Sequence, residues 1–149
     1  MDKAPCEALR LDNQLCFALY STSLAMGKLY KPLLAELGLT YPQYLIMLVL
    51  WEQDGLTVTE LSQRLGQDKG ALSPVIKRLE AQGLLGRRRS PEDERRQLLC
   101  LTDGGLALRS KAEAVPRQLL CATGLSPDQA RAMKAQLEQL RQSLQDLID

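Results

Sequence analysis

One stretch of the chain decides the fold, residues 56–102: LTVTELSQRLGQDKGALSPVIKRLEAQGLLGRRRSPEDERRQLLCLT. It begins with Thr57-Val-Thr-Glu60, which has the spacing of a capping box, in which the threonine caps a helix and the glutamate reaches back from the first turn. The turn Gly66-Gln-Asp68 ends this short helix and places Asp68 to cap a second one. Two short helices joined by a tight turn predict a helix-turn-helix.

The second helix has two chemically different sides. One side carries an apolar stripe at helical spacing: Leu72, Val75, Ile76 and Leu79. The other side carries Lys69, Ser73 and Lys77. Such a helix can pack on a core and enter a DNA major groove at the same time. Pro74 lies beyond the first turn, where proline removes a helical hydrogen bond, so we expect either a later helix start or a local distortion.

The period of the apolar residues changes after Gly83. Residues 84–89 and 95–101 predict two strands of a hairpin, joined by the polar tip Ser90-Pro-Glu-Asp-Glu94. A basic amphipathic helix alone is usually a solvated surface helix, and an arginine-rich turn alone is usually a solvated loop. Because the two follow each other in the order of a winged helix-turn-helix, the sequence favours DNA binding over these plainer interpretations.

The charge is spread unevenly over a chain whose net charge is only +1. Residues 64–96 hold nine basic and five acidic side chains, which gives this segment +4 and the remainder −3. A locally basic module on a nearly neutral body is typical of a sequence-specific DNA-binding protein. A protein that coats nucleic acid without specificity would carry a larger net charge.

Composition excludes several other classes of protein. The 149 residues suit one domain or a small subdivided one, with ordinary apolar content. The N-terminus has no basic region followed by an apolar run, so we expect a cytoplasmic protein with no membrane partner. Its four cysteines are then expected to be reduced thiols. With no histidine and no CxxC pair, we predict no metal site and no cofactor.

The segments before the winged module have mainly helical patterns. Residues 1–8 resemble a loose leader, and residues 9–37 carry leucines at helical spacing, with expected breaks at Gly27 and Pro32. The segment Thr40-Tyr-Pro-Gln43 has a second capping box with proline in its first turn. It predicts the start of a strongly apolar helix.

The segments after the module are also predicted to be helical. Thr102 is placed to cap a single helix over residues 105–121, which contains Pro116. Ser126 and Gln129 then provide the capping signal for a last helix. The apolar stripe of that helix consists of Met133, Leu137, Leu140, Leu144 and Leu147.

The two terminal helical regions have apolar faces without an obvious core to cover them. Pairing with a second copy would bury both faces, so we predict a homodimer that binds a palindrome, with recognition helices roughly 34 Å apart. The predicted fold is mainly α with a small β wing. We expect residues 1–44 to form the sensor and dimerisation helices, 45–102 the winged helix-turn-helix, and 103–149 the C-terminal dimerisation helices.

Cys16 lies on one face of the first predicted helix, with Asp12 one turn before it and Tyr20 one turn after it. Most helical cysteines are small buried apolar residues, and spacing alone favours that role here. The N-terminal third also holds Tyr30 and Tyr41. Tyrosine hydroxyls near a thiol can donate hydrogen bonds to its thiolate form and make it a better nucleophile.

Three N-terminal blocks resemble the organic-hydroperoxide-sensing branch of the MarR family of repressors: Leu11-Asp-Asn-Gln-Leu-Cys-Phe-Ala-Leu-Tyr20, Tyr30-Lys-Pro-Leu-Leu34 and Leu39-Thr-Tyr-Pro-Gln-Tyr44. The wing segment Asp93-Glu-Arg95, followed by Leu101-Thr102 and Gly105, is similar to the general MarR signature. The resemblance covers nearly the whole chain from residue 11.

This resemblance implies a redox sensor. Cys16 would be oxidised by an organic hydroperoxide to a sulfenic acid. Tyr20, Tyr30 and Tyr41 match the tyrosines around the family's reactive cysteine. Cys121 of the partner subunit would then form an intersubunit disulfide, and the dimer would release its palindromic operator. The alternative for Cys121 is a buried thiol at a helix end.

The resemblance also implies a set of contacts with double-stranded DNA. Arg95 matches the wing arginine that enters the minor groove, where the negative potential attracts it, and Asp93 is expected to brace the wing. The predicted DNA-binding residues are Lys69, Ser73, Lys77, Arg78, Arg88 and Arg95. Lys69 and Ala71 stand where the family commonly has small hydroxyl residues, which leaves the operator sequence open.

Two other functions compete with a thiol-based repressor. A MarR-type regulator could instead respond to a reversibly bound small molecule, and it would then keep its response when Cys16 is replaced by serine. A thiol peroxidase could use Cys16 for catalysis. Such an enzyme would have no use for a basic winged module, so we predict no enzymatic activity.

Overall fold

A computed structural model describes residues 6–148 of the protein. Within that range the chain is mainly helical with one two-stranded antiparallel sheet, which confirms the predicted fold class. Two short 3-10 turns, Glu7–Leu9 and Leu11–Asn13, precede the elements α1 Leu15–Ala35, α2 Tyr41–Glu52, α3 Val58–Leu65, α4 Lys69–Ala81, β1 Leu85–Arg89, β2 Gln97–Leu101, α5 Asp103–Ala112, α6 Val115–Thr123 and α7 Pro127–Ile148. No helix among these residues is long and apolar enough to cross a membrane.

The chain divides into two compact units, the first ending at Ala112 and the second beginning at Glu113. The first unit contains the helix-turn-helix, α3 and α4, followed by the wing, β1 and β2. The second unit contains α6 and α7. The predicted leader falls partly on residues 1–5, which lie outside the described residues, and its remainder includes the first 3-10 turn rather than a loose segment.

Capping boxes set two helix starts, and a third box is only half formed. Gln43 donates its backbone N–H to Thr40 Oγ1 over 3.4 Å and accepts the Thr40 N–H on Oε1 at 2.9 Å, which confirms the box that begins α2. At α3, Thr57 Oγ1 accepts the Glu60 N–H at 3.1 Å. The Glu60 carboxylate does not reach back, because it pairs with Arg96. A charge-assisted hydrogen bond to a guanidinium is the stronger one.

Prolines act differently according to where they lie in a helix. The breaks expected at Gly27 and Pro32 are wrong, since both lie inside the continuous helix α1. Pro74 likewise lies inside α4, which begins at Lys69, so the later helix start is wrong. Burial of the apolar face of α4 offsets the missing hydrogen bond. The single helix expected over residues 105–121 is also wrong. Pro116 lies in the first turn of a separate helix, α6, where its missing N–H has no helical partner in any case.

The core of the first unit fixes the wing against the helices. Its fully buried side chains include Ile46, Met47, Leu50, Leu61, Leu72, Ile76, Leu79 and Leu99. The hairpin register pairs Leu85 with Leu101 and Arg89 with Gln97, and Leu56 forms a bridge with Leu99. Alternation along the strand would allow Cys100 to face inward, but it is only half-buried, because its neighbour Leu99 occupies the inward position in β2.

A glycine lets α5 approach the wing closely. A Cβ on Gly105 would lie 2.1 Å from the carbonyl oxygen of Leu84, so no other residue fits without moving the backbone. The carbonyl oxygen of Gly105 also accepts the indole N–H of Trp51 at 2.9 Å, which joins α5 to α2. Together these contacts set the position of α5 within the first unit.

The second unit presents one long helix with an exposed apolar face. The predicted capping box of α7 is confirmed, since Ser126 and Gln129 exchange hydrogen bonds of 2.9 and 3.1 Å. The apolar side chains of this helix are largely exposed, including Met133, Leu137, Leu144 and Leu147. Exposure of so much apolar area is typical of an interaction surface.

Candidate functional site

The outer side of α4 carries exposed cations. Leu72, Ile76 and Leu79 are buried on the inner side, while Lys69, Lys77 and Arg78 are exposed. Ser73 is half-buried, and its hydroxyl donates to the carbonyl oxygen of Lys69 at 2.9 Å. Because the hydroxyl proton is used inside the helix, only the lone pairs of this oxygen remain available to a ligand.

Ion pairs separate the nine basic residues of residues 64–96 into two groups. Three are paired within the first unit: Arg64 with Glu52, Arg87 with Glu80 and Arg96 with Glu60. The other six have no acidic partner in the part of the chain that the structure describes: Lys69, Lys77, Arg78, Arg88, Arg89 and Arg95. Unpaired cations are the ones available to phosphates.

The unpaired group contains every cation of the predicted DNA-binding set. It also contains Arg89, which sequence reasoning missed, although the run Arg87-Arg88-Arg89 was a visible signal. Arg89 is exposed at the end of β1, where it pairs with Gln97 in the hairpin. We therefore add Arg89 to the candidate contacts with DNA.

The tip of the wing is ordered by its own backbone contacts. Asp93 Oδ1 accepts the backbone N–H of Arg95 at 3.0 Å, and the Asp93 carbonyl oxygen accepts that of Arg96 at 3.0 Å. Ser90 donates its N–H to the carbonyl oxygen of Arg96 at 2.8 Å. The Arg96 side chain is bound by Glu60, whereas the Arg95 side chain is exposed at the tip. Asp93 is thus placed to brace the turn that presents Arg95.

Cys16 is the second residue of α1, and its thiol is free and exposed. The alternative that it is a small buried residue therefore does not hold within one chain. Tyr20, one turn further along, is 65% exposed. Nearby apolar side chains of α1 are exposed as well, including Leu15 and Leu24. Among the described residues, the thiol thus lies in an exposed, largely apolar surface.

Three tyrosines form a cluster at the other end of α1. The ring centroid of Tyr30 lies 4.7 Å from that of Tyr41 and 5.9 Å from that of Tyr44. Burial, followed by the neighbouring Tyr41 and Tyr44, raises the pKa of Tyr30 to about 12. Burial also raises the pKa of Tyr41 and of Tyr44. These phenols therefore keep their protons at neutral pH and can donate hydrogen bonds.

The cluster cannot touch the thiol of its own chain. Tyr30 lies fourteen positions after Cys16 in one continuous helix, and at a rise of 1.5 Å per residue this places their Cα atoms about 21 Å apart. The Tyr41 ring packs against the Tyr30 ring, so it lies near the same far end of α1. Any contact between these tyrosines and a Cys16 thiol must therefore involve two chains.

A half-open, mainly apolar pocket of about 370 Å³ adjoins the cluster. Its lining includes Tyr30, Leu34, Leu39 and Tyr41, together with Lys31. The volume falls within the range of pockets that bind small molecules. The pocket belongs to the first unit and lies where α1 turns into α2.

Cys121 lies near the end of α6 in the second unit, and its thiol is free and exposed. The alternative of a buried thiol at a helix end is therefore wrong for the single chain. Cys6 is exposed as well, and Cys100 is half-buried. No disulfide is present among these cysteines within a chain.

The chain is similar in sequence to known transcriptional regulators. The model of the MarR family matches residues 39–96. The chain is 46% identical over 136 residues to the organic hydroperoxide resistance transcriptional regulator of Bacillus subtilis (strain 168), and the match covers 91% of this chain and 92% of that protein. The similarity thus extends well beyond the winged module.

Two solved structures of AbfR from Staphylococcus epidermidis are similar over nearly the full chain. Reduced AbfR bound to DNA has a TM-score of 0.76 at 34% identity, covering 96% of this chain and 98% of that one. Disulfide-formed AbfR has a TM-score of 0.66 at 34% identity, covering 96% of each chain. The similar proteins are DNA-binding regulators, with both reduced and disulfide forms known for one of them.

Proposed function

The chain belongs to the MarR family of transcriptional regulators, and we propose that it is a homodimeric repressor that releases a palindromic operator when an organic hydroperoxide oxidises Cys16. Family membership confirms the resemblance noted in the N-terminal blocks. It also makes the protein a DNA-binding regulator rather than an enzyme. The hydroperoxide response rests on the 46% identity to a regulator named for that resistance.

The observation that carries the proposal is the exposed thiol of Cys16 in an exposed apolar helix face. Burial of α1 and α7 against a second copy would cover these side chains, which include Leu15, Leu24, Met133 and Leu137. The same pairing would let the Tyr30 and Tyr41 hydroxyls of one chain meet the Cys16 thiol of the other. Neutral phenols that donate hydrogen bonds to a thiolate stabilise its charged form and favour reaction.

The chemistry requires two steps that together consume one hydroperoxide. The Cys16 thiolate attacks the terminal oxygen of the hydroperoxide, the O–O bond breaks, and the alkoxide takes a proton to leave as an alcohol. The sulfur, oxidised by two electrons, is now a sulfenic acid. The thiolate of Cys121 of the partner subunit then attacks that sulfur, an S–S bond forms, and the hydroxyl group leaves as water after protonation.

The DNA-binding side of the proposal follows from α4 and the wing. Helix α4 would lie in the major groove with Lys69, Ser73 and Lys77 toward the DNA. Arg78, Arg88 and Arg89 would contact phosphates, and Arg95 would enter the minor groove. Their lack of acidic partners in the described chain supports this assignment.

The test is binding of a fluorescent promoter fragment by anisotropy, before and after treatment with cumene hydroperoxide. We expect the wild type to release the fragment on oxidation and to bind it again after reduction by a thiol. Cys16→Ser should bind and stay bound, whereas the matched control Cys6→Ser, also at an exposed cysteine, should behave like the wild type. Release by Cys16→Ser, or binding by oxidised wild type, would contradict the proposal and favour a ligand acting at the 370 Å³ pocket.

A further inference from the structure

A closed chain of three side-chain hydrogen bonds joins the turn between α1 and α2 to the end of α4. The backbone N–H of Thr40 donates to Gln43 Oε1 at 2.9 Å. Gln43 Nε2 donates to Gln82 Oε1 at 2.9 Å, and Gln82 Nε2 donates to the carbonyl oxygen of Gly38 at 2.8 Å. This series of hydrogen bonds therefore begins at Thr40 and ends at Gly38, both of which lie in the turn between α1 and α2.

The orientation of both amides is determined by this arrangement. Gln43 Oε1 faces an N–H donor, so its Nε2 must face Gln82. Gln82 Nε2 faces a carbonyl oxygen, so its Oε1 must face Gln43. Reversing either amide would place two donors or two acceptors against each other. Since Gln43 is only 4% exposed, water cannot readily replace its partner.

The two glutamines joined by these hydrogen bonds belong to different functional parts. At one end, Gln43 is the third residue of α2, and Tyr41 and Tyr44 of the tyrosine cluster flank it in the same turn. At the other end, Gln82 is the C-cap of α4, and its backbone N–H donates to the carbonyl oxygen of Arg78 at 3.0 Å. A shift of the first turn of α2 would therefore displace the end of α4 through these hydrogen bonds.

We propose that Gln43 and Gln82 are positioning residues that couple the tyrosine cluster to the orientation of α4, so that a change at the cluster alters DNA affinity. Here the input is oxidation of Cys16, and in that respect the inference rests on the proposed function. The link runs entirely within the first unit. It needs no contact between DNA and either glutamine, and it provides a partner for the buried amide nitrogen of Gln43.

The test uses Gln82→Met, which keeps the length of the side chain but removes its donor and its acceptor. Gln82 is exposed, so the variant is expected to fold. The matched control is Gln53→Met, the same change at the exposed C-cap of α2, which lies at the end away from the cluster. The Kd for the promoter fragment is measured by anisotropy for reduced and cumene-hydroperoxide-treated protein, and Tm is measured for each variant.

We expect Gln82→Met to raise the Kd of the reduced protein by about threefold or more and to lower the ratio of oxidised to reduced Kd by roughly three- to tenfold. Gln53→Met should leave both within about twofold of the wild type. A purely structural role of Gln82 would change Tm without changing the ratio. Where the wild type responds to oxidation, an unchanged ratio would overturn the coupling, whatever the reduced Kd.

The two proposals fail in different ways. If the wild type keeps its DNA on oxidation, the redox function is refuted, and the reduced Kd of Gln82→Met alone decides the coupling. A reduced Kd within about twofold of the wild type then overturns it. If the wild type releases its DNA and Gln82→Met does so with the same ratio, the redox function stands and the coupling does not.

Discussion

The wing offers a matched pair of neighbouring arginines, Arg95 and Arg96, which differ in their ion pairing. Arg96 is bound by Glu60, whereas Arg95 has no acidic partner within residues 6–148, and Asp93 holds only its backbone N–H, at 3.0 Å. We expect Arg95→Ala to weaken DNA binding far more than Arg96→Ala. The reason is that the guanidinium of Arg96 is already neutralised and fixed against α3.

The two substitutions are expected to affect different free energies: Arg95→Ala that of DNA binding, and Arg96→Ala that of folding. Loss of an arginine that contacts DNA costs about 1–3 kcal/mol, a five- to 150-fold rise in Kd. Arg96→Ala removes a partly exposed ion pair worth about 1 kcal/mol or less, and that loss falls on the stability of the wing rather than on DNA contacts. Arg95→Ala should also reduce the slope of log K against log salt concentration by up to about 0.9.

The assay is anisotropy of a labelled promoter fragment with reduced protein, repeated at several salt concentrations. Urea unfolding of each variant serves as the control for stability. If Arg96→Ala weakens binding as much as Arg95→Ala does, or changes the salt slope more, then ion pairing does not decide which wing arginine binds DNA. The same reasoning would then fail for Arg88 and Arg89.

Three further predictions concern stability and chemistry. Gly105→Ala should destabilise the protein by about 1–3 kcal/mol in urea unfolding, because its Cβ would lie 2.1 Å from a backbone oxygen, whereas Gly70→Ala, with nothing within 4 Å, should not. Because the pKa of Tyr30 is raised to about 12, its contribution to stability is full below pH 10 and is lost as pH rises toward 12. Tyr30→Phe should therefore make the free energy of unfolding depend less on pH across that range. Oxidised Cys121→Ser should show no species of dimer mass under nonreducing conditions, unlike the wild type.

Local chemistry made much of the fold predictable from the sequence. The capping boxes at Thr40 and Ser126 set helix starts with residues three positions apart, and such short-range contacts are visible in any sequence. The change of period after Gly83 likewise located the wing, within two residues at each strand start. Local patterns did not show where a contact with a distant residue outweighs the local preference.

Glu60 and Pro32 illustrate that competition. Glu60 was expected to complete a capping box, but Arg96, 36 residues away in sequence, takes its carboxylate. Pro32 was expected to break α1, but the helix continues to Ala35 and buries Leu34 within the first unit. In both cases a tertiary contact outweighs a local preference.

The candidate site was predictable in composition but not in arrangement. The thiol and the tyrosines could be named from sequence, whereas the packing of Tyr30 against Tyr41 required the tertiary structure. The distance of about 21 Å between the Cα atoms of Tyr30 and Cys16 required the helix to be continuous. The sequence also did not show which cations are held in ion pairs, because the acidic partners lie on other segments of the fold: Glu52, Glu60 and Glu80. The glutamine link from α2 to α4 spans 39 residues and left no sequence signal.

Redox control of DNA binding is tested most directly by a stoichiometric titration of the reduced, DNA-bound protein with an organic hydroperoxide, followed by anisotropy. We expect release to be complete at about one equivalent per subunit or less, and dithiothreitol to restore binding. DNA that remains bound after several equivalents, or a loss of binding that thiol cannot reverse, would contradict the claim that oxidation of Cys16 controls the repressor.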